Sequence, residues 1–213
     1  MKDFGLYIII TNPVLTYSRI AEICVKNEIA MLQLREKHLT DKEIIKIARE
    51  LKSIVKGSVT NLIINDRPDI AVLCEADGLH LGQDDISFED ARKIVGDSIK
   101  IGLSTHSIEQ AKEALKKTPD YIGFGPVYET TAKAKPDKVV GTNQLKEVLS
   151  FATVPVVAIG GIFPENIEAV LKAGAKNIAM VRYFMQTEDL DKRIKEIKSL
   201  FKKYEDDTDS TGN

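Results

Sequence analysis

The sequence predicts a single-domain α/β protein of the (β/α)8 type, and three observations lead there. Eight short apolar runs recur at near-regular intervals along 213 residues. Helical patterns with start and stop signals lie between them. Polar residues and glycines gather at the C-terminal end of nearly every run. Most of the runs are short and rich in Ile, Val and Leu, as strands covered on both faces should be. Eight of them alternating with helices suit a closed barrel of about 200 residues, because closure leaves no edge strand. An open doubly wound sheet is the competing arrangement.

The expected strands are LYIIIT (6–11), AMLQLR (30–35), NLIIN (61–65), GLHLG (78–82), IKIGLS (99–104), YIGFG (121–125), VPVVAIG (154–160) and NIAMV (177–181). After the second, Thr40 with Glu43 reads as a capping box opening TDKEIIKIARELKSIVKG, and Gly57 suits its end. Ser87 leads SFEDARKIVG, which stops at Gly96, and Ser107 with Gln110 opens SIEQAKEALKK. Pro164 sits near the start of FPENIEAVLKAG, which stops at Gly174. The last helix, LDKRIKEIKSLFKKY, carries apolar Ile194, Ile197, Leu200 and Phe201. Residues 1–204 therefore form the barrel domain. The tail 205–213, EDDTDSTGN, is polar and acidic with nothing to bury, and is expected to be disordered.

Thirty basic against 32 acidic residues give a net charge of −2, so nothing argues for nucleic acid or an anionic membrane as partner. No apolar run approaches the roughly 20 residues of a membrane span. MKDFGLYIIIT runs straight into a strand and lacks a signal-peptide cleavage pattern, which points to a cytoplasmic protein. Cys24 and Cys74 read as buried apolar residues rather than a disulfide or metal pair. The sequence is compatible with a homo-oligomer but sets no oligomeric state.

In such barrels the reacting groups lie at the C-terminal strand ends. Gln33, Arg35 and Lys37 stand at i, i+2 and i+4, which in a strand is one face. Lys133 follows the sixth strand, Asp66 ends the third and Asp85 follows the fourth. Three cations facing two carboxylates suit an anion bound with a hard cation. Mg2+ typically takes one or two carboxylates plus substrate phosphate oxygens. Gly160 and Gly161 would let backbone N–H groups approach a ligand, in the loop after strand seven, a common phosphate-binding place. These residues point to a barrel enzyme handling two phosphorylated groups, one with Mg2+. Plainer readings exist for each: Arg35 and Lys37 as partners neutralising Asp66 and Asp85, Asp66 as a helix cap, the glycine pair as packing. His80 and His106 read as structural hydrogen-bonding residues, and His38 as a surface residue.

The motifs that carry these residues, QLREK (33–37), NDRPDIA (65–71), ADGLHLGQDD (76–85), GLSTH (102–106), GPVYETTAK (125–133) and VAIGGI (157–162), resemble in order those of the thiamine phosphate synthases. The resemblance runs from about residue 5 to 200. It implies condensation of 4-amino-2-methyl-5-hydroxymethylpyrimidine diphosphate with a thiazole phosphate, giving thiamine phosphate and pyrophosphate. By position it assigns Gln33 to the pyrimidine. Arg35, Lys37 and Lys133 go to the diphosphate, with Ser104 and Asn65 beside them, and Arg35, Lys37, Lys133 and Ser104 count as the catalytic set. It assigns Asp66 and Asp85 to Mg2+. Thr130, Thr131, Ala132, Gly161, Val181 and Arg182 fall on the thiazole phosphate side. Two positions depart from the family pattern: Ala132 replaces a Thr, and Arg182 replaces a Ser. The nearest alternative is the thiazole tautomerase family, which needs no diphosphate chemistry and tends to have a His where Pro126 stands. A non-catalytic barrel that binds thiamine precursors and a sugar phosphate isomerase are the other readings weighed.

Overall fold

The computed structural model describes residues 3–130 and 137–210, with side chains described as far as Tyr204. Eight strands form the barrel: β1 Leu6–Ile10, β2 Met31–Leu34, β3 Asn61–Asn65, β4 Gly78–Leu81, β5 Lys100–Thr105, β6 Tyr121–Phe124, β7 Val156–Ile159 and β8 Asn177–Met180. All neighbours pair in parallel, and β8 closes on β1. This is the (β/α)8 (TIM) barrel that the eight apolar runs predict. The helices are α1 Tyr17–Lys26, α2 Asp41–Val55, α3 Pro68–Leu73, α4 Phe88–Val95, α5 Ile108–Lys116, α6 Gly141–Phe151, α7 Ile167–Lys172, α8 Arg182–Met185 and α9 Leu190–Ser210. No helix among the described residues is long and apolar enough to cross a membrane.

The strands bury both faces, each against a different cluster. Ile8, Ile10, Leu32 and Leu62 face the helices. Tyr7, Ile9, Met31, Ile63, Tyr121, Val157 and Ala179 fill the barrel interior. Burying one such Ile or Leu contributes roughly 1.5–3 kcal/mol. Strand parity then decides which polar residues can meet. Gln33 follows Met31 by two and pairs in register with Ile9, so it points inward. Asn65 follows Ile63 by two and pairs with His80.

Local chemistry starts the helices largely as the sequence indicates. Thr40 and Glu43 make the reciprocal capping box of α2, and Ser87 and Ser107 cap α4 and α5 through their hydroxyls. Ser107 pairs with Gln110 as expected, its Oγ accepting from Gln110 N at 3.2 Å, and only the return bond of the Gln110 side chain differs. Gln110 Oε1 accepts from His106 N at 2.7 Å, one residue before the cap, which ties the β5 loop to α5. Two boundaries also move. Pro164 lies in a turn and α7 begins at Ile167, because Asn166 spends its side chain on the loop: it accepts from Phe163 N and donates to Gly161 O. The segment from 205, expected to be disordered, continues α9 as helix as far as Ser210, with no Gly or Pro to interrupt it before Gly212. Residues 211–213 lie outside the described residues. Cys24 and Cys74 are buried free thiols.

Candidate active site

The β2–β5 side of the barrel mouth is held by charged and polar side chains. β2 ends at Leu34, yet Arg35 N still donates to Ile10 O at 2.9 Å, so Arg35 keeps the inward parity of Gln33. Lys37 lies beyond the strand. It joins the site by reaching sideways, with Nζ 3.1 Å from Asp66 Oδ2, rather than as the third residue on one strand face. Asp66 adopts a left-handed backbone (φ 61°) while its N–H donates to His80 O at 2.8 Å. Asp is among the residues that tolerate this region, at some cost in strain. Asp85 folds back so that its Oδ2 accepts from Gly82 N at 2.6 Å. Burial, then the neighbouring Asp66 carboxyl, push the Asp85 carboxyl up to about 6. Gln83 Nε2 donates to Ser104 O at 2.6 Å and ties this loop to β5.

Glu36, between the two cations, points the other way. Only 8% exposed, it accepts from Asn12 N and from Tyr17 Oη, both at 2.9 Å. Burial together with Glu36 raises the Tyr17 phenol to about 12. The pair pins the loop after β1 to the strand end that carries Arg35 and Lys37.

Across the mouth, a mostly apolar cavity runs between Ile9, Arg35 and Ser104 on one wall and Gly160, Gly161, Phe163, Val181 and Arg182 on the other, with Thr130 and His106 also lining it. Gly160 and Gly161 both have positive φ, at 97° and 64°. A Cβ on Gly160 would sit 2.4 Å from Pro126 Cβ, and one on Gly161 would sit 2.5 Å from Glu129 O. Packing against the β6 loop therefore demands both glycines whatever the ligand, which is the plainer reading of this pair. The Arg182 guanidinium lies 5.4 Å from the centre of the Phe163 ring, a cation–π contact. His106 places Nδ1 2.5 Å from Gly125 O and Nε2 3.5 Å from Asp137 Oδ2.

Of the sequence-assigned residues, Arg35, Ser104, Thr130, Gly161, Val181 and Arg182 line one cavity. Lys37 and Asp66 form an ion pair, with Asp85 against Asp66, in a second group that does not line it. Gln33, 1% exposed, lies in the interior, and Asn65 is half-buried at the end of β3. Thr131, Ala132 and Lys133 lie outside the described residues. Sequence reasoning missed Glu36, Tyr7 and Tyr121. Tyr7 and Tyr121 carried a weak signal: each is a lone phenol at the start of an otherwise apolar strand. His38 is exposed, as expected.

Two carboxylates side by side, one of them held protonated up to about pH 6, are a donor pair that a divalent cation would relieve. No group of three or more His, Cys, Asp or Glu that could hold a metal occurs among the described residues. The remaining positions of such an ion would fall to substrate oxygens and water, which is how Mg2+ is commonly held.

The chain is similar to known proteins along most of its length. A family model described as thiamine monophosphate synthase matches residues 6–184. The thiamine-phosphate synthase of Halalkalibacterium halodurans is 41% identical over 193 residues, which cover 89% of this chain and 92% of that protein. Its counterpart from Koribacter versatilis is 42% identical over 166 residues, 78% of each. Among solved structures, the thiamine phosphate pyrophosphorylase of Pyrococcus furiosus is 31% identical with a TM-score of 0.85, covering 95% of this chain and 97% of that one.

Proposed function

The chain belongs to the thiamine monophosphate synthase family, and from that premise we propose that it joins 4-amino-2-methyl-5-hydroxymethylpyrimidine diphosphate to thiazole phosphate. The products are thiamine phosphate and pyrophosphate. The observation that carries the reading is the pairing, at one barrel mouth, of the Lys37–Asp66–Asp85 group with a cavity reached by Arg35 and walled by Gly160 and Gly161.

The reaction breaks the C–O bond between the pyrimidine methylene and the diphosphate, and the electron pair leaves with the oxygen. The methylene cation is stabilised by the electrons of its own amino-substituted ring. The thiazole nitrogen then supplies the pair for the new C–N bond. No protein nucleophile is needed. The chain's task is to neutralise a departing polyanion, hold the two partners close and keep water away. Arg35 and Lys37, with Lys133 from the loop after β6, hold the diphosphate, and Ser104 and Asn65 add hydrogen bonds. Gln33 holds the pyrimidine. Thr130 and Thr131, Gly161 and the Val181–Arg182 backbone receive the thiazole phosphate. Asp66 and Asp85 would hold Mg2+, which would add positive charge at the leaving diphosphate.

Pyrophosphate release from the pyrimidine diphosphate, with and without thiazole phosphate, in Mg2+ and then in EDTA, tests the proposal. Release should require both the metal and the acceptor. A protein that releases nothing and only isomerises the thiazole would be a tautomerase.

A further inference from the structure

Five side chains from five strands form one hydrogen-bonded line through the barrel interior. Gln33 Nε2 donates to Tyr7 Oη at 2.7 Å. Tyr7 Oη lies 2.9 Å from Tyr121 Oη, which lies 3.0 Å from His80 Nδ1. His80 Nε2 lies 2.8 Å from Ser104 Oγ. The fold makes room for this line. A Cβ on Gly102 would sit 2.1 Å from the Tyr121 ring, so the phenol occupies space that any other residue at 102 would fill. The His80 and Tyr121 rings stack at 5.5 Å. Burial pushes both phenols above their usual range, so the line is made of protonated hydroxyls.

We infer that Tyr7, Tyr121 and His80 are positioning residues that join Gln33 to Ser104 and set which polar end each presents to the donor substrate. The inference rests on the proposed function for the identity of that donor. A hydroxyl carries one proton, so the direction of each link dictates the next. With Gln33 donating, Tyr7 donates to Tyr121 and Tyr121 to His80 Nδ1. The imidazole proton then sits on Nε2 and goes to Ser104 Oγ. Ser104 keeps its own proton for the cavity that it lines. At the other end Nε2 of Gln33 is engaged, which leaves Oε1 as acceptor. Gln33 is 1% exposed, and no described group bonds its Oε1. An acceptor at Gln33 and a donor at Ser104 match a substrate with an amine on its ring and anionic oxygens on its leaving group. The reversed line would set N–H against amine and lone pair against oxyanion. One direction of the line satisfies both ends, and cooperative polarisation along it favours a single direction.

Tyr7→Phe removes one hydroxyl and keeps the ring. The readout is amine discrimination: kcat/KM for the aminopyrimidine diphosphate divided by that for the analogue with hydrogen in place of the amine. This ratio does not depend on how much of a variant is folded. It should fall about tenfold in Tyr7→Phe, with the KM for thiazole phosphate unchanged. Tyr121→Phe should lower it too, although among the described residues its hydroxyl bonds only Tyr7 and His80. A merely structural role would lower the melting temperature and leave the ratio intact, and an unchanged ratio in both variants overturns the inference. Calorimetric binding of the amino and des-amino pyrimidine alcohols reads the same preference without turnover. A wild type that releases no pyrophosphate but loses its binding preference in Tyr7→Phe overturns the proposed activity and supports the relay. A wild type that discriminates in neither assay overturns the relay.

Discussion

The two sides of the barrel mouth are built from opposite materials. The β2–β5 side uses charged side chains: Lys37 against Asp66, Asp85 against Asp66, and Arg35 at the cavity wall. The β7–β8 side uses backbone, with two positive-φ glycines and a short turn into α8, and sets Arg182 against Phe163 at its edge. A site made of charges is lost by deleting side chains and responds to pH and metal. A site made of backbone survives side-chain deletion and is broken by adding a carbon.

That contrast orders the expected effects. The largest fall on the charged side. Lys37→Ala and Asp85→Asn should each lower turnover about 10²–10³-fold while circular dichroism and melting stay close to wild type. Near-normal rates in both would remove the charge assignments. Next comes the backbone side, where Gly161→Ala puts a Cβ at φ 64° against Glu129 O. It should cost about 1–3 kcal/mol of stability in chemical denaturation and weaken acceptor binding. An Ala variant as stable as wild type would show that the β6 loop yields.

Smaller still is a linkage effect confined to the charged side. The folded-state value of Asp85, about 6, lies above its ordinary 3.8, so the folded chain holds that proton more tightly than the unfolded one. Without metal, stability should therefore fall as pH rises between about 4 and 6. Mg2+ should raise the melting temperature more at about pH 7.5 than at about pH 5, and Asp85→Asn should flatten both trends. Equal Mg2+ shifts at the two pH values would place the ion elsewhere. The smallest effect is expected at Arg182. Because the backbone is assigned the acceptor phosphate, Arg182→Ser should change the KM for thiazole phosphate by no more than about threefold, although it removes the cation–π contact with Phe163. A rise well beyond tenfold would give the phosphate to the guanidinium and make the two sides alike.

Much of this was readable along the chain, for reasons that differ between the two sides. Gln33 and Arg35 interrupt an apolar strand, and a polar residue in a strand covered on both faces needs a partner or a ligand, so its chemistry shows in one dimension. Lys37 did not show its route, because the strand ends at Leu34 and the side chain turns to Asp66 only in space. Gly160 and Gly161 were visible as glycines. Their contacts with Pro126 and Glu129 were not, since those come from a loop more than thirty residues earlier in the chain. Glu36 sat unnoticed between two cations because its partners, Asn12 and Tyr17, belong to the preceding βα unit.

Alone, the sequence determined the eight strands, the helix caps at Thr40, Ser87 and Ser107, and the gathering of polar residues at one end of the strands. All of these depend on neighbours within a few residues. Only the tertiary structure decided that Tyr7 and Tyr121, 114 residues apart, would touch through their hydroxyls. Closure of β8 on β1 curls the sheet so that inward side chains from non-adjacent strands meet at the axis, and which phenol, imidazole and amide share that axis follows from register and parity across the whole barrel.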